Sequence, residues 1–438
     1  MQKIKVVYEW IGPRGPLSNN RIPNIHELAN ALHGLDINQR RANSPFLWKT
    51  FFERFPHMFE LSSTCEIQEN DVFVYDYQLH HRTPFEGFFS FGTQYGLLES
   101  IEMSYNALNG IKHGNGYLLL DMSLESFVNE QYFYMMHNYF TCHGIPLNKV
   151  IYQTGCPNAD HIYFKYCERN NIPINERINI ICWDSFEWQL SQRHQTDEYT
   201  TRRHIDIIEK DFLSLNYRYR PHRLDLTLLF YKMGLLDSSY FSMPAYNPEV
   251  PIHSFTNSVD MSFCNKIGLT LGDVQTLQNS ILPLRVDDLP TDKNNHSEIT
   301  MGNRGNLIQF YDKSLISVVT ETNAYMDAIA ETEKTFKPII FKQPFIIVGG
   351  AKSLHYLRNK GYKTFSNWFD ESYDNITDHH QRLIAIGNLC VEIKNWSRDK
   401  KKQFIEETQE IVEYNYKHFQ NVYSNRIDTF WTGLLNNA

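Results

Sequence analysis

Short apolar runs alternate with longer segments of helical period along most of the chain. IKVVYEWI (4–11) reads as a buried first strand ending in a Gly-Pro loop, and IHELANALHGL (25–35) as a helix closed by a glycine. DVFVYDYQ (71–78), GYLLLDMSLE (116–125), KVIYQTG (149–155) and INIICWDSF (178–186) are further strands. Helical segments at 95–110, 129–144 and 158–171 separate them. Strand and helix in alternation predict an α/β domain with a mainly parallel sheet. A polar stretch over 187–210 then interrupts the pattern.

The pattern restarts at DFLSLNYRYR (211–220), a strand with a basic loop, followed by a Pro-started helix over 221–236 and a strand at YFSMPAYN. LISVVTET (315–322), PIIFKQPFIIVGG (338–350) and YKTFS (362–366) read as strands of this second half. Long helices over about 379–397 and 398–424 close the chain. The expected domains are 1–208, 209–378 and a helical 379–438 that packs back toward the first. Two α/β halves predict a cleft, with ligands beyond the C-terminal ends of the strands.

Composition narrows the classes. At 438 residues, 42% hydrophobic and 21% charged, the chain is globular. A net charge of −8 argues against a general nucleic-acid coat. Seven scattered cysteines without a CxxC pair indicate reduced thiols, not a disulfide framework or a zinc ribbon. The N-terminus lacks the apolar length of a signal peptide, and no run reaches a membrane span, so a cytoplasmic protein is expected.

The chemistry concentrates after the strands of the second half. NYRYRPHR (216–223) places Arg218, Arg220 and Arg223 at a helix start, where guanidinium forks and a helix N-terminus suit a diphosphate. A solvated basic turn is the plainer reading. In VVTETN, Glu321 and Asn323 end a strand; Glu321 suits ribose hydroxyls or, equally, a helix cap. In TEKTFKP, Glu333 suits sugar hydroxyls and Lys334 a phosphate. Thr335 adds a hydroxyl, and Lys337 follows one turn on. A surface Glu–Lys pair is the alternative.

Taken in order, NYRYRPHR, VVTETN and TEKTFKPIIFKQPFIIVGG resemble the donor half of GT-B glycosyltransferases, nearest the α1,3-fucosyltransferase and exostosin-like groups. They are also similar to phage and bacterial proteins of glycosyltransferase type. The resemblance covers roughly 211–370. Thr-Glu-Thr-Asn stands where those families have Phe-Glu-Asn, and TEKTFKP lacks their leucine after Lys, which leaves the donor sugar open. The resemblance implies a GT-B-like fold, two Rossmann-like domains facing across a cleft with C-terminal helices. It also implies inverting, metal-independent transfer from a nucleotide-sugar donor, without a further cofactor. The absence of any Asp-x-Asp triplet from the chain agrees with that. The acceptor is a glycan or, if the source is a phage, a hydroxymethylated DNA base. A DNA acceptor predicts one basic face built from Arg202, Arg203, Arg218, Arg220 and Arg223. The general base is sought in the first half, where Glu9 and Asp121 follow the most strand-like runs, ahead of Asp76, His80, Glu86 and Glu125. The competing class is a non-catalytic nucleotide- or glycan-binding protein on a degenerate GT-B scaffold.

Overall fold

The structure is a computed structural model. It describes residues 3–8, 57–63, 67–78, 105–122, 128–183, 186–187, 190–191, 203–248, 250–286, 308–421 and 433. Two compact units divide the chain, Met1–Asp184 with Ser424–Ala438, and Ser185–Tyr423.

The first unit contains β1 (Ile4–Tyr8), β2 (Phe59–Ser63), β3 (Phe73–Gln78), α1 (Tyr105–His113), β4 (Gly116–Met122), α2 (Glu130–Cys142), β5 (Val150–Thr154), α3 (Ala159–Arg169) and β6 (Asn179–Cys182). Its six strands lie in the order β2-β1-β3-β4-β5-β6, every pair parallel. β5 is buried along its whole length, as a strand with both faces covered must be. The winding reverses between β1 and β3, the switch point where open α/β sheets take ligands. Glu9, His80, Glu86 and Glu125 lie outside the described residues, as does the helix expected at 25–35.

The second unit contains β7 (Lys210–Leu215), α4 (Pro221–Lys232), β8 (Ser239–Ser242), α5 (Phe255–Ser258), α6 (Met261–Lys266), α7 (Leu271–Ser280), α8 (Ile308–Asp312), β9 (Ser314–Thr320), α9 (Glu333–Ile340), β10 (Phe345–Val348), α10 (Ser353–Asn359), α11 (His379–Lys394) and α12 (Arg398–Gln420). Its four strands run in the order β10-β9-β7-β8, again all parallel. The α/β class and the two separate parallel sheets are therefore as expected. The helices over 379–420 pack within this unit, α11 on α4 and α12 on α9.

Two expected strands are absent as drawn. Pro338–Ile340 close α9, and only Phe345–Val348 is strand. Pro338 sits at the sixth position of a two-turn helix. Lys342 then turns the chain at φ 50 and lets Gln343 N–H reach the Pro338 carbonyl at 2.8 Å. YKTFS does not join the sheet. Asn415 of α12 takes both backbone groups of Lys363, through Oδ1 at 2.8 Å and Nδ2 at 2.9 Å, and so stands in for a neighbouring strand.

α4 is buried on every side from His222 to Phe230, which is why its sequence shows little amphipathic period. α11 approaches it closely at Gly387, where a Cβ would sit 2.6 Å from Leu229 Cδ2. That approach brings the start of α11 to the start of α4.

Candidate functional site

In the second sheet the winding reverses between β7 and β9. The loops that leave their C-terminal ends are the basic loop at 216–223 and the TETN loop at 320–323, so both candidate motifs flank the switch point. Asn216 and Thr320 clasp the two strand ends. Thr320 Oγ1 donates to Asn216 Oδ1 at 2.6 Å, and Asn216 N–H donates to Ser242 Oγ at 2.9 Å.

Glu321 organises the start of α9. Its side chain is 0% exposed. Oε1 accepts from Thr332 N–H at 2.9 Å, Thr335 N–H at 3.1 Å and Thr335 Oγ1 at 2.6 Å. Oε2 accepts from Thr332 Oγ1 at 2.7 Å and Thr322 N–H at 3.1 Å. The carboxylate thus caps α9 from a loop 11 residues away in sequence. This corrects the expected contact of Glu321 with ribose: it positions α9 and has no face open to a ligand. Thr335, also fully buried, is held by the same carboxylate.

Three buried groups bind the carbonyls of this loop. His222 Nε2 donates to Glu321 O at 2.7 Å, and burial, helped by Arg223, pushes its imidazole down to about 3, so it is neutral. Arg223 reaches Arg218 O, Thr320 O and Glu321 O at 3.2–3.4 Å. Desolvation lowers its pKa to about 10, and it stays charged at neutral pH. Arg223 is therefore a brace under the loop, not the exposed fork expected. Arg382 of α11 donates to Ala324 O at 2.6 Å and Gly349 O at 3.1 Å, tying the loop after β9 to the loop after β10. The first glycine after β10 serves that packing: a Cβ on Gly349 would meet Ser353 Oγ at 2.8 Å.

The remaining motif residues are Arg218, Arg220, Lys334 and Lys337, with Glu333 buried among them. Arg218 is exposed, Arg220 half-buried at the N-cap of α4. The Arg220 side chain makes no hydrogen bond or ion pair with any described residue. Lys334 Nζ donates to Glu333 Oε1 at 2.8 Å, Thr332 Oγ1 at 3.0 Å and Thr322 Oγ1 at 3.4 Å. All three of its donors have acceptors, and it pins TEKT to TETN. Burial pushes the Glu333 carboxyl up, but Lys334, Lys337 and hydrogen bonds more than offset it and hold it below the usual range. Lys337, one turn further, is partly buried, and its side chain has no hydrogen bond or ion pair among the described residues. Asn323 is buried in the same loop. Among the described residues the motifs set Arg218, Arg220, Arg223, Lys334 and Lys337 against Glu321 and Glu333, in a chain whose net charge is −8.

Behind it lies a group that sequence reading did not single out. Tyr325 OH donates to Asp225 Oδ2 at 2.6 Å, His380 Nε2 stands 3.6 Å from the same oxygen, and the Tyr325 ring stacks on His379 at 4.1 Å. Asp225 is 1% exposed and its Oδ1 has no hydrogen-bond partner. Burial pushes its carboxyl up to about 7, against the pull of Tyr325. An acid raised in the folded state favours folding while protonated, and that contribution is lost as pH rises through about 7. Asp225→Asn is therefore expected to match the wild type near pH 4. Its thermal midpoint should exceed the wild type's by a margin that grows up to about pH 7 and then stays level. A margin independent of pH would contradict this.

Arg203, in the same unit, does not join the cluster. Arg203 is buried and donates to Leu315 O at 2.6 Å and to Ser314 O, at the opening residues of β9, the opposite sheet edge from the loop after β7. The five arginines do not make one basic face: Arg202 lies outside the described residues, and Arg203 and Arg223 are buried. Asp121 in the first unit is 1% exposed and accepts from Gln153 Nε2 at 3.2 Å, so its carboxylate is not open to an acceptor. Among the described residues no three His, Cys, Asp or Glu side chains group as metal ligands, and no helix is long and apolar enough to cross a membrane.

No family model matches the chain, and no curated protein matches it. Solved structures show slight likeness. A trehalose 6-phosphate synthase from Burkholderia multivorans is 10% identical, covers 85% of this chain and 72% of its own, and superposes with a TM-score of 0.41. A glycosyltransferase from Rickettsia africae is 12% identical over 100% of both chains, with a TM-score of 0.36. Likeness this slight assigns neither family nor chemistry to this chain.

Proposed function

We propose that the chain is a glycosyltransferase whose second unit binds a nucleotide-activated sugar at the loops after β7 and β9. The observation that carries this is the cation surplus at the switch point: the Arg220 and Lys337 side chains have no hydrogen-bonded partner among the described residues, Lys337 lies within electrostatic reach of Lys334, and Arg220 and Lys334 both act on His222. Partly buried cations without bonded partners await an anion, and several together suit a diphosphate better than a single carboxylate. Glu333, held ionised by Lys334 and Lys337, is the carboxylate we assign to the hydroxyl hydrogens of a ribose.

In the reaction the acceptor hydroxyl oxygen bonds to the anomeric carbon and gives its proton to the general base, while the bond from that carbon to the diphosphate breaks and its electron pair stays on the phosphate oxygen. Arg220 and Lys337 stabilise the charge that grows there, which is the role a metal plays elsewhere. We carry metal independence and inversion at the anomeric carbon into the proposal from the sequence resemblance. The acceptor is a glycan in preference to DNA, because the arginines expected to form a basic face are divided between two sheet edges and partly buried. Glu9 remains the proposed general base.

The test is a panel of nucleotide-sugars incubated with the protein, followed by release of the nucleoside diphosphate and by the anomeric configuration of the product. Turnover of one donor supports the enzyme. Saturable binding without any turnover points to the non-catalytic scaffold, and no binding at all ends the proposal.

A further inference from the structure

We propose that Lys337 is the cation that meets the phosphate oxygens of the ligand, and that it takes up a proton from solvent as the anion binds. The inference rests on the donor-site reading above and adds a pH control to it.

Lys334, the more conspicuous lysine of TEKTFKP, has all three donors occupied by Glu333, Thr332 and Thr322. Arg223 is turned under the loop onto carbonyl oxygens. Lys337 has none of this. Its ammonium sits partly buried on α9 without a hydrogen bond or ion pair among the described residues. Three unmet N–H donors on a desolvated charge are costly. The empty protein reduces that cost by letting the proton go: burial, with Lys334, pushes Lys337 down to about 8, while Glu333 and Glu321 act against the fall.

The described residues around it offer no other relief. On α12, which packs against α9, Glu413 is bound to Lys342 and His418 faces the Lys360 carbonyl. Among the described residues the charges that act on Lys337 are Glu333, Lys334 and Glu321. Lys342 and Lys360 are engaged elsewhere. A phosphate placed beside Nζ supplies both the missing acceptors and the missing negative charge. The amine lone pair then takes a proton from water, and nothing is oxidised or reduced. The ligand therefore binds together with one proton once the pH exceeds the point at which the empty site loses it.

Affinity accordingly holds steady below about pH 8 and falls about tenfold for each pH unit above it. A permanently charged side chain at this position removes the fall.

The test uses the full chain and a panel of UDP, GDP, ADP and dTDP as probes. Dissociation constants are measured by titration calorimetry at pH 7, 8 and 9 for the wild type, Lys337→Arg and Lys337→Met. Thermal melts check that both variants are folded. The wild type is expected to lose about fivefold between pH 8 and 9, Lys337→Arg to change little, and Lys337→Met to be weak and flat. Equal pH dependence in the wild type and Lys337→Arg, with binding intact, overturns this inference alone. Absence of binding to every probe by the folded wild type at pH 7 overturns the donor-site reading and this inference with it.

Discussion

Glu321→Ala is expected to be the most damaging single change in the second unit. The substitution leaves the buried Thr332 N–H without its acceptor, and the Thr335 N–H with only the Thr332 carbonyl at 3.1 Å. It also frees the Thr332 and Thr335 hydroxyls and the Thr322 N–H. Bonds to a charged acceptor are each stronger than neutral ones, and buried donors left bare carry their full desolvation penalty. The loss should be about 3–5 kcal/mol. In a unit of this size that lowers the melting temperature by roughly 6–20 °C. Glu321→Gln keeps one acceptor oxygen and should fall between. A melt of Glu321→Ala within about 2 °C of the wild type would show that α9 holds its place without this cap.

Arg220→Met is expected to do the reverse, sparing the fold and removing function. The Arg220 side chain makes no hydrogen bond with any described residue, so its loss leaves no orphaned partner among them. The methionine keeps much of the apolar stem. If Arg220 meets the leaving diphosphate, removing one preorganised donor costs about 3–4 kcal/mol in the transition state, a few hundredfold in turnover. Arg220→Lys should restore part of this, since a lysine keeps the charge but not the fork. Kinetics beside a thermal melt separate the outcomes. Wild-type turnover in Arg220→Met would remove this residue from the site.

Apolar runs in the sequence locate the strands that are buried on both faces, such as β5 and β9, because a parallel sheet leaves little alternation to confuse them. They misplace PIIFKQPFIIVGG, where Pro338 lies inside a helix that Glu321 holds from afar, and YKTFS, whose backbone is met by Asn415. Local pattern carries no record of such distant partners. The same limit governs the site. The motifs NYRYRPHR, TETN and TEKT are legible in the sequence, and the structure joins them through hydrogen bonds between residues about 100 apart, as between His222 and Glu321.

The division of labour within the motifs is not legible there. Glu321, Thr335 and Arg223 hold the loops, Lys334 is saturated, and Arg220 and Lys337 remain for a ligand. Only hydrogen-bond partners distinguish a positioning residue from a binding one, and residue type is silent about them. Thr332 carries a signal, a threonine directly before a charged helix start, which is the residue preferred at an N-cap. Asp225, Tyr325 and Arg382 carry none: each stands in a segment that reads as ordinary helix or loop.

The central claim is that the cations left without bonded partners beside the β7–β9 switch point receive the diphosphate of a nucleotide. Its most direct test is calorimetric titration of the full chain with UDP, GDP, ADP and dTDP near pH 7, in parallel with Arg220→Met. At least one of these is expected to bind one-to-one, and Arg220→Met, with an unchanged melt, to bind it at least about tenfold more weakly. Binding of equal strength in both proteins, or to neither, would contradict the claim.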